Sequence, residues 1–134
     1  MAATLHLEVV SPEHLLLSSP VEMVVVPGTE GYFGVLPQHM LLLSTLRPGV
    51  IDVYTGGAIS ERYFVTGGFA EVTGTSCTVL VDEALPLTSL TKAFAADRLA
   101  KAKAKMDTAT GEEDIRRAAE AIVNAEAMAE FAVN

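Results

Sequence analysis

Short runs in the first two thirds of the chain alternate between apolar and polar residues, which is the pattern of strands with one buried face. In the first run Leu5, Leu7 and Val9 share one face, and polar residues occupy the other. The alternation recurs in three further groups: Val21, Met23 and Val25; Ile51 and Val53; and Cys77, Val79 and Val81. Many short strands separated by Gly and Pro residues predict an antiparallel sandwich or barrel.

Two of the predicted strands carry apolar residues on both faces. Val24 to Val26 is an unbroken valine run, and Leu80 lies between Val79 and Val81. Neighbouring residues of a strand point to opposite faces of a sheet. We therefore expect these strands to be covered twice, either within the sandwich or by a partner.

The composition changes at about residue 87. The first 87 residues contain nine of the ten glycines and all six prolines, whereas the last 47 contain fourteen alanines and no proline. Alanine favours helices, and Gly and Pro interrupt regular structure. The sequence therefore predicts a β domain at residues 1–87 and a helical domain at residues 88–134.

The helical part predicts an antiparallel hairpin of two helices, the first beginning near Leu90 and ending at a break over residues 107–111. Thr110 and Glu113 have the spacing of a capping box at the start of the second helix. Two acid–base pairs have the favourable four-residue order, Glu112 with Arg116 and Glu113 with Arg117. The faces expected to pack together are Ala93, Ala96, Ala100 and Ala104 on one helix, and Ile115, Ala118, Ile122, Ala125 and Ala129 on the other.

The charge and cysteine content exclude several classes of protein. Nine basic against seventeen acidic residues give a net charge of −8, which argues against a nucleic-acid partner because phosphate binding needs clustered Lys and Arg. One cysteine excludes an internal disulfide. No apolar run reaches the ~18–20 residues that cross a bilayer. The start at Met1, without a signal or transit peptide, leads us to expect a bacterial or plastid-encoded protein.

No group of residues in the sequence predicts an active site. The glycines between Gly28 and Gly34 match neither a dinucleotide fingerprint nor a P-loop, and the three histidines lie far apart. Cys77 falls on an inward strand face, and the neighbours Asp82 and Glu83 point to opposite faces. A basic strip on the first helix, Arg98, Lys101 and Lys105, is either a solvated face or a docking strip for an acidic partner. We therefore expect a binding or mechanical protein without catalytic residues, metal or cofactor.

One stretch is more specific than the rest. Residues 27–39 read Pro-Gly-Thr-Glu-Gly-Tyr-Phe-Gly-Val-Leu-Pro-Gln-His and resemble the central signature of the epsilon subunit of F-type ATP synthases, called delta in mitochondria. Further segments resemble the same family in order and spacing: residues 9–13, 47–49, 65–72 and 79–82. The resemblance covers the whole β part, and the helical part has the family's length and alanine content.

The resemblance implies a flattened ten-stranded β-sandwich followed by a two-helix antiparallel hairpin. It also implies a non-catalytic subunit of the central stalk, which couples rotation of the c-ring to the gamma subunit. The sandwich would bind gamma and the c-ring, and the chain would contact the alpha and beta subunits transiently. The complex would hold the chain at the cytoplasmic side of a bacterial inner membrane, or at the stromal side of a thylakoid.

By position, the signature loop would supply the contacts to both partners. The residues expected at the c-ring are Glu30, Gly31, Tyr32 and Phe33, and those expected at gamma are His39 and Leu42. Family members commonly continue His-Ala-Pro-Leu, whereas this chain reads His39-Met40-Leu41-Leu42. Without that proline the backbone is less restricted and regains an N–H at Leu41, so the local contact is expected to be looser or differently paired.

In many bacterial relatives the hairpin extends and blocks ATP hydrolysis, and some hairpins bind ATP through Ile or Leu, Asp, two variable residues, Arg and Ala. The aligned stretch in this chain is Leu90 to Ala95, in which Thr91 replaces the acid and Phe94 replaces the arginine. We expect no ATP binding of that type. The strip of Arg98, Lys101 and Lys105 would meet an acidic segment of the beta subunit. A competing hypothesis is a free-standing, ligand-binding sandwich with a helical dimerisation tail.

Overall fold

The computed structural model describes residues 3–38 and 41–133, which form two units, Met1–Pro86 and Leu87–Asn134. The first unit contains ten strands, and the ten-stranded sandwich predicted from the resemblance is confirmed. Their bounds are β1 Leu5–Ser11, β2 His14–Val21, β3 Met23–Gly28, β4 Gly31–Val35, β5 Leu42–Leu46, β6 Gly49–Thr55, β7 Ala58–Val65, β8 Gly68–Val72, β9 Ser76–Val81 and β10 Ala84–Pro86.

The strands follow one hydrogen-bonded path that folds back on itself. Its order is β10-β7-β6-β3-β5-β8-β9-β1-β2, with β4 attached to β3. All neighbours are antiparallel except β1 and β9, which are parallel. β3 and β5 share a single residue pair, Gly28 with Leu46, and this pair joins the two layers. Buried residues from both sides of that junction belong to one core cluster, so the layers face each other.

The period-two pattern identified most of this core. Leu5, Leu7 and Val9 are buried, as are the predicted inward residues of β6 and β9. In β3 the expected inward face was wrong: Val24 and Val26 are fully buried, whereas Met23 and Val25 are only half-buried. The strand is valine-rich on both faces, so its own sequence does not show which face points inward.

Cys77 lies on the inward face of β9, as predicted, and is fully buried. Burial raises the pKa of its thiol from an ordinary 9.0 to about 12. Above pH 9 the unfolded chain loses this proton while the folded chain keeps it, so the thiol's contribution to stability is lost between pH 9 and 12. We expect the free energy of unfolding to fall over that interval relative to a Cys77→Ala variant, measured by urea denaturation. Parallel curves for the two proteins would contradict this expectation.

The second unit contains two helices, α1 from Lys92 to Thr108 and α2 from Gly111 to Phe131, after a short 3-10 turn at Leu87–Ser89. The Val133 amide donates to the Leu90 carbonyl at 3.1 Å, which joins the end of α2 to the start of α1. The helices are therefore antiparallel, as predicted. Among the described residues, neither helix has the length and apolar character needed to cross a bilayer.

The capping box predicted at Thr110 is absent. Thr110 is the N-cap residue of α2, but its side chain accepts no capping hydrogen bond. The Glu113 carboxylate instead binds Arg116 at 2.6 Å and Arg117 at 3.1 Å, and hydrogen bonding to Arg116 lowers its pKa. Two guanidinium groups thus hold the carboxylate that was expected to complete the box. The expected pairing of Glu113 with Arg117 is confirmed, whereas Arg116 pairs with Glu113 and Glu120.

The helix–helix seam also differs from the expectation. In α1 the buried residues are Ala95 and Ala102, whereas the four alanines predicted to pack, Ala93, Ala96, Ala100 and Ala104, are exposed. In α2 the residues Ala118, Ala125 and Met128 are buried. The predicted members Ile115 and Ala129 are exposed. Because α1 has alanines around most of its surface, alanine spacing alone does not identify the packed face.

Candidate functional site

The turn between β3 and β4 depends on two glycines. Gly28 and Gly31 face each other at the end of the two strands. Gly31 has φ +135°, a conformation that favours glycine. A Cβ atom on Gly28 would lie 2.8 Å from the carbonyl oxygen of Gly31. The turn is therefore tight, and it leaves Thr29 and Glu30 exposed at its tip.

A surface groove of about 530 Å³ lies beside this turn. It is formed by residues 28–33, which span the β3–β4 turn and the start of β4, and by residues 42–45 of β5. The structure thus brings five of the six contact residues predicted from the resemblance to one place: Glu30, Gly31, Tyr32, Phe33 and Leu42. The sixth, His39, lies outside the described residues. The resemblance led us to expect these residues at two different partners, whereas in the structure they line one groove.

The residues of the groove differ in what they offer to a partner. Glu30 is exposed, and Tyr32 and Leu42 are 42% and 38% exposed. Phe33 is half-buried and packs against the core of the sandwich. Phe33 therefore supports the groove from below, while the other three side chains present a carboxylate, a phenol and an aliphatic group.

The β3–β4 turn is hydrogen-bonded to the end of β5 and to Arg47, which follows this strand. The Thr29 amide donates to the Thr45 carbonyl at 3.1 Å, and the hydroxyls of these two residues lie 3.0 Å apart. The Arg47 amide donates to the Pro27 carbonyl at 2.9 Å. These bonds hold both turns together, so the groove is preformed in the free chain.

An apolar row on the outer sheet face was not predicted as a site. Each member stands opposite the next across neighbouring strands, in the order Phe69, Leu80, Val10 and Leu15. Phe69 and Leu15 are 42% and 59% exposed. Leu43 is 67% exposed and lies on the same sheet face, two residues before Thr45, which pairs with Phe69. It extends the row toward the groove. We call Leu43 and these four residues the outer apolar row; its only sequence signal was that Leu80 placed an apolar residue on a second strand face.

The basic strip of α1 is brought together by the fold. Arg98, Lys101 and Lys105 line a second groove of about 400 Å³, with Ala121 and Asn124 of α2 on its far side. Lys101 forms an exposed ion pair with Asp97 at 2.9 Å. The guanidinium of Arg98 lies 5.5 Å from the centre of the Phe94 ring. The strip is a real surface feature, and part of its charge is balanced within α1.

The segment aligned with the ATP motif has structural roles in this chain. The Thr91 hydroxyl caps α1 by accepting a hydrogen bond from the Phe94 amide at 3.1 Å. The Phe94 ring contacts Arg98. The two residues that replace the charged anchors thus stabilise the start of α1. Within the described part of the chain, no cluster of three His, Cys, Asp or Glu residues could hold a metal ion.

The comparison with protein families identifies the chain. Residues 4–87 match the family described as ATP synthase, Delta/Epsilon chain, beta-sandwich domain. The chain belongs to this family. The ATP synthase epsilon chain of Rhodospirillum rubrum is 55% identical over 128 residues, which cover 96% of each chain. That of Paramagnetospirillum magneticum is 48% identical over 129 residues, covering 96% of this chain and 97% of the relative.

Solved structures support the same membership. A chain of the Euglena gracilis mitochondrial ATP synthase, in a structure of OSCP, F1 and c-ring, matches with a TM-score of 0.74 and 28% identity, covering 94% of this chain and 79% of that chain. A chain from the central stalk and c-ring of the Tetrahymena thermophila enzyme shares the fold, with a TM-score of 0.57 at 14% identity over 66% of this chain and 70% of that chain. The family resemblance of residues 27–39 is therefore confirmed, and the chain groups with the epsilon chains of ATP synthase.

Proposed function

We propose that this chain couples rotation of the c-ring to the gamma subunit and contributes no catalytic residue of its own. The observation that carries the proposal is the preformed groove at the β3–β4 turn, continuous with the outer apolar row, on the sandwich of an epsilon-family chain. The chain would reach the membrane only through the complex, on the cytoplasmic side of a bacterial inner membrane.

A subunit that transmits torque must resist shear between its two contacts. In this sandwich, backbone ladders connect all ten strands, and one apolar cluster fills the space between the layers. Interiors of this kind are close-packed and transmit strain with little compression. The fold therefore meets the mechanical requirement without any chemistry.

The two surfaces suit different partners. The outer apolar row offers contiguous apolar area, which is typical of a stable protein contact, so we assign it with Leu42 to gamma. His39 remains assigned to gamma by position. The tip of the β3–β4 turn offers an exposed carboxylate and a phenol on a tight backbone, so we assign Glu30, Gly31 and Tyr32, supported by Phe33, to the c-ring.

Reconstitution tests this proposal against the ligand-binding alternative. The full chain is mixed with purified gamma subunit and then with detergent-solubilised c-ring, and each mixture is analysed by size-exclusion chromatography with light scattering. We expect the free chain to be a monomer and to co-elute with gamma and then with the c-ring. A stable homodimer that binds neither partner would support the alternative of a free-standing sandwich.

We also propose that the hairpin acts as a brake on ATP hydrolysis through its basic strip. Removing residues 88–134, or replacing Arg98, Lys101 and Lys105 together by Gln, is expected to raise hydrolysis by the assembled enzyme, since both changes remove the cations that would dock on an acidic segment of beta. The matched control replaces Lys103, an exposed lysine of α1 outside this groove. Unchanged hydrolysis in both variants would show that the hairpin is not a brake.

The absence of ATP binding by the hairpin remains a prediction. It is supported by the use of Thr91 and Phe94 to cap and pack α1, which leaves neither charged anchor of the family motif at these positions.

A further inference from the structure

Tyr32 is exposed over 42% of its surface, yet three features of the β5–β6 segment fix its ring. Its hydroxyl oxygen accepts a hydrogen bond from the Val50 amide at 3.3 Å. The guanidinium carbon of Arg47 lies 5.1 Å from the ring centroid. Gly49 leaves room for the phenol, since a Cβ there would lie 2.7 Å from the hydroxyl oxygen. Tyr32, near the start of β4, is thus held at its hydroxyl by the Val50 amide and at its ring face by Arg47.

Arg47 is one of two basic residues in the β domain. Within residues 3–38 and 41–133 its exposed guanidinium forms no ion pair with a carboxylate, and it lies over the ring of Tyr32. The β domain has only one other Lys or Arg residue, Arg62, which pairs with Asp52 at 2.7 Å. A planar guanidinium stacks on an aromatic face better than an ammonium does. The guanidinium of Arg47 is therefore placed to orient the Tyr32 ring.

The ring in turn orients the β3–β4 turn. Tyr32 follows Gly31 directly and pairs with Pro27 of β3 across the β3–β4 turn. The backbone bond from Arg47 to Pro27 closes the loop from the other side. A contact surface that is ordered before binding avoids the entropy cost of ordering it on binding.

We propose that Arg47 is a positioning residue: by holding Tyr32 it keeps the Gly28–Gly31 turn in the geometry that docks on the c-ring. This inference rests on the proposed function for the docking step. The hold of Arg47 on Tyr32 belongs to the free chain and is tested separately.

The Val50 amide reports this hold, because it donates to the Tyr32 hydroxyl. Amide hydrogen exchange of the full-length free chain is compared for the wild type, Arg47→Ala, Arg47→Lys and Arg62→Ala. We expect Val50 to exchange at least about fivefold faster in Arg47→Ala, to be partly restored in Arg47→Lys, and to be unchanged in Arg62→Ala. Tyr32→Phe removes the acceptor alone and is expected to speed the same amide, which keeps the test valid if Arg47→Ala folds poorly.

The docking step is measured as association of the same chains, bound to gamma, with detergent-solubilised c-ring. We expect Arg47→Ala to weaken association about three- to tenfold and Arg47→Lys to recover most of it, as lost pre-organisation predicts. Weaker association with unchanged Val50 exchange would overturn the proposal, since Arg47 would then contact the c-ring directly. Faster exchange with unchanged association would also overturn it. If the wild type itself fails to bind the c-ring, the proposed function fails, whereas the exchange data still decide whether Arg47 holds Tyr32.

Discussion

Replacing Gly68 by Ala is expected to destabilise the sandwich severely, although the change adds only one methyl group. Gly68 starts β8 and pairs with Leu46 on one side and Val81 on the other. A Cβ there would overlap the carbonyl oxygen of Leu80 and would lie 2.8 Å from the Cα of Val81. These are backbone atoms of β9, so β8 and β9 would have to separate.

Overpacking against side chains typically costs about 1–3 kcal/mol, and a displaced ladder adds lost hydrogen bonds. We expect Gly68→Ala to lose at least about 3 kcal/mol of unfolding free energy, measured by urea denaturation, which is a large share of the ~5–15 kcal/mol of a typical domain. Gly67→Ala is the matched control, since a Cβ there meets only the Leu46 carbonyl oxygen, at 3.7 Å. Midpoints that differ little between the two variants would contradict the steric argument.

Replacing Leu43 by Asp is expected to abolish most of the binding to gamma without unfolding the chain. Leu43 is 67% exposed at the end of the outer apolar row nearest the groove, so a carboxylate there stays hydrated in the free chain. It would stand opposite Glu71 of β8, and this repulsion is expected to cost less than about 1 kcal/mol. In a dry contact the carboxylate would lose its water without gaining a partner. Interface positions of this kind cost about 2–4 kcal/mol, so we expect an affinity loss of at least about 30-fold by isothermal calorimetry.

Ile59→Asp is the control for this variant. Ile59 is a β-branched aliphatic residue that is 43% exposed, and it lies on β7, in the other half of the hydrogen-bonded path. It is expected to bind gamma like the wild type. Equal losses from Leu43→Asp and Ile59→Asp would argue for a general charge effect, and no loss from either would place the gamma contact elsewhere.

The sandwich was predictable because local patterns and the family resemblance agree. Alternation predicted the inward faces of β1, β6 and β9, and all three are buried as expected. The alternation failed in β3, where valines occupy both faces and only packing selects Val24 and Val26. In the hairpin, the positions of both helices were predicted, but α1 buries Ala95 and Ala102 rather than the expected alanine face.

The candidate site was found only in part. The resemblance located the residues of the β3–β4 turn, and the structure shows that Leu42 lines the same groove. Residue spacing gave no indication that Arg47 would lie over Tyr32, fifteen positions away along the chain. Likewise, the outer apolar row draws its residues from several strands, so no window of sequence contains it.

The sequence by itself determined the two-part organisation, the strand-and-turn rhythm and the family, because these depend on residues close together along the chain. Only the tertiary structure decided which valine and alanine faces are buried and how Tyr32 is held. These outcomes depend on residues that are far apart along the chain and that the fold brings together, such as Arg47 and Tyr32, and a linear pattern does not record such neighbours.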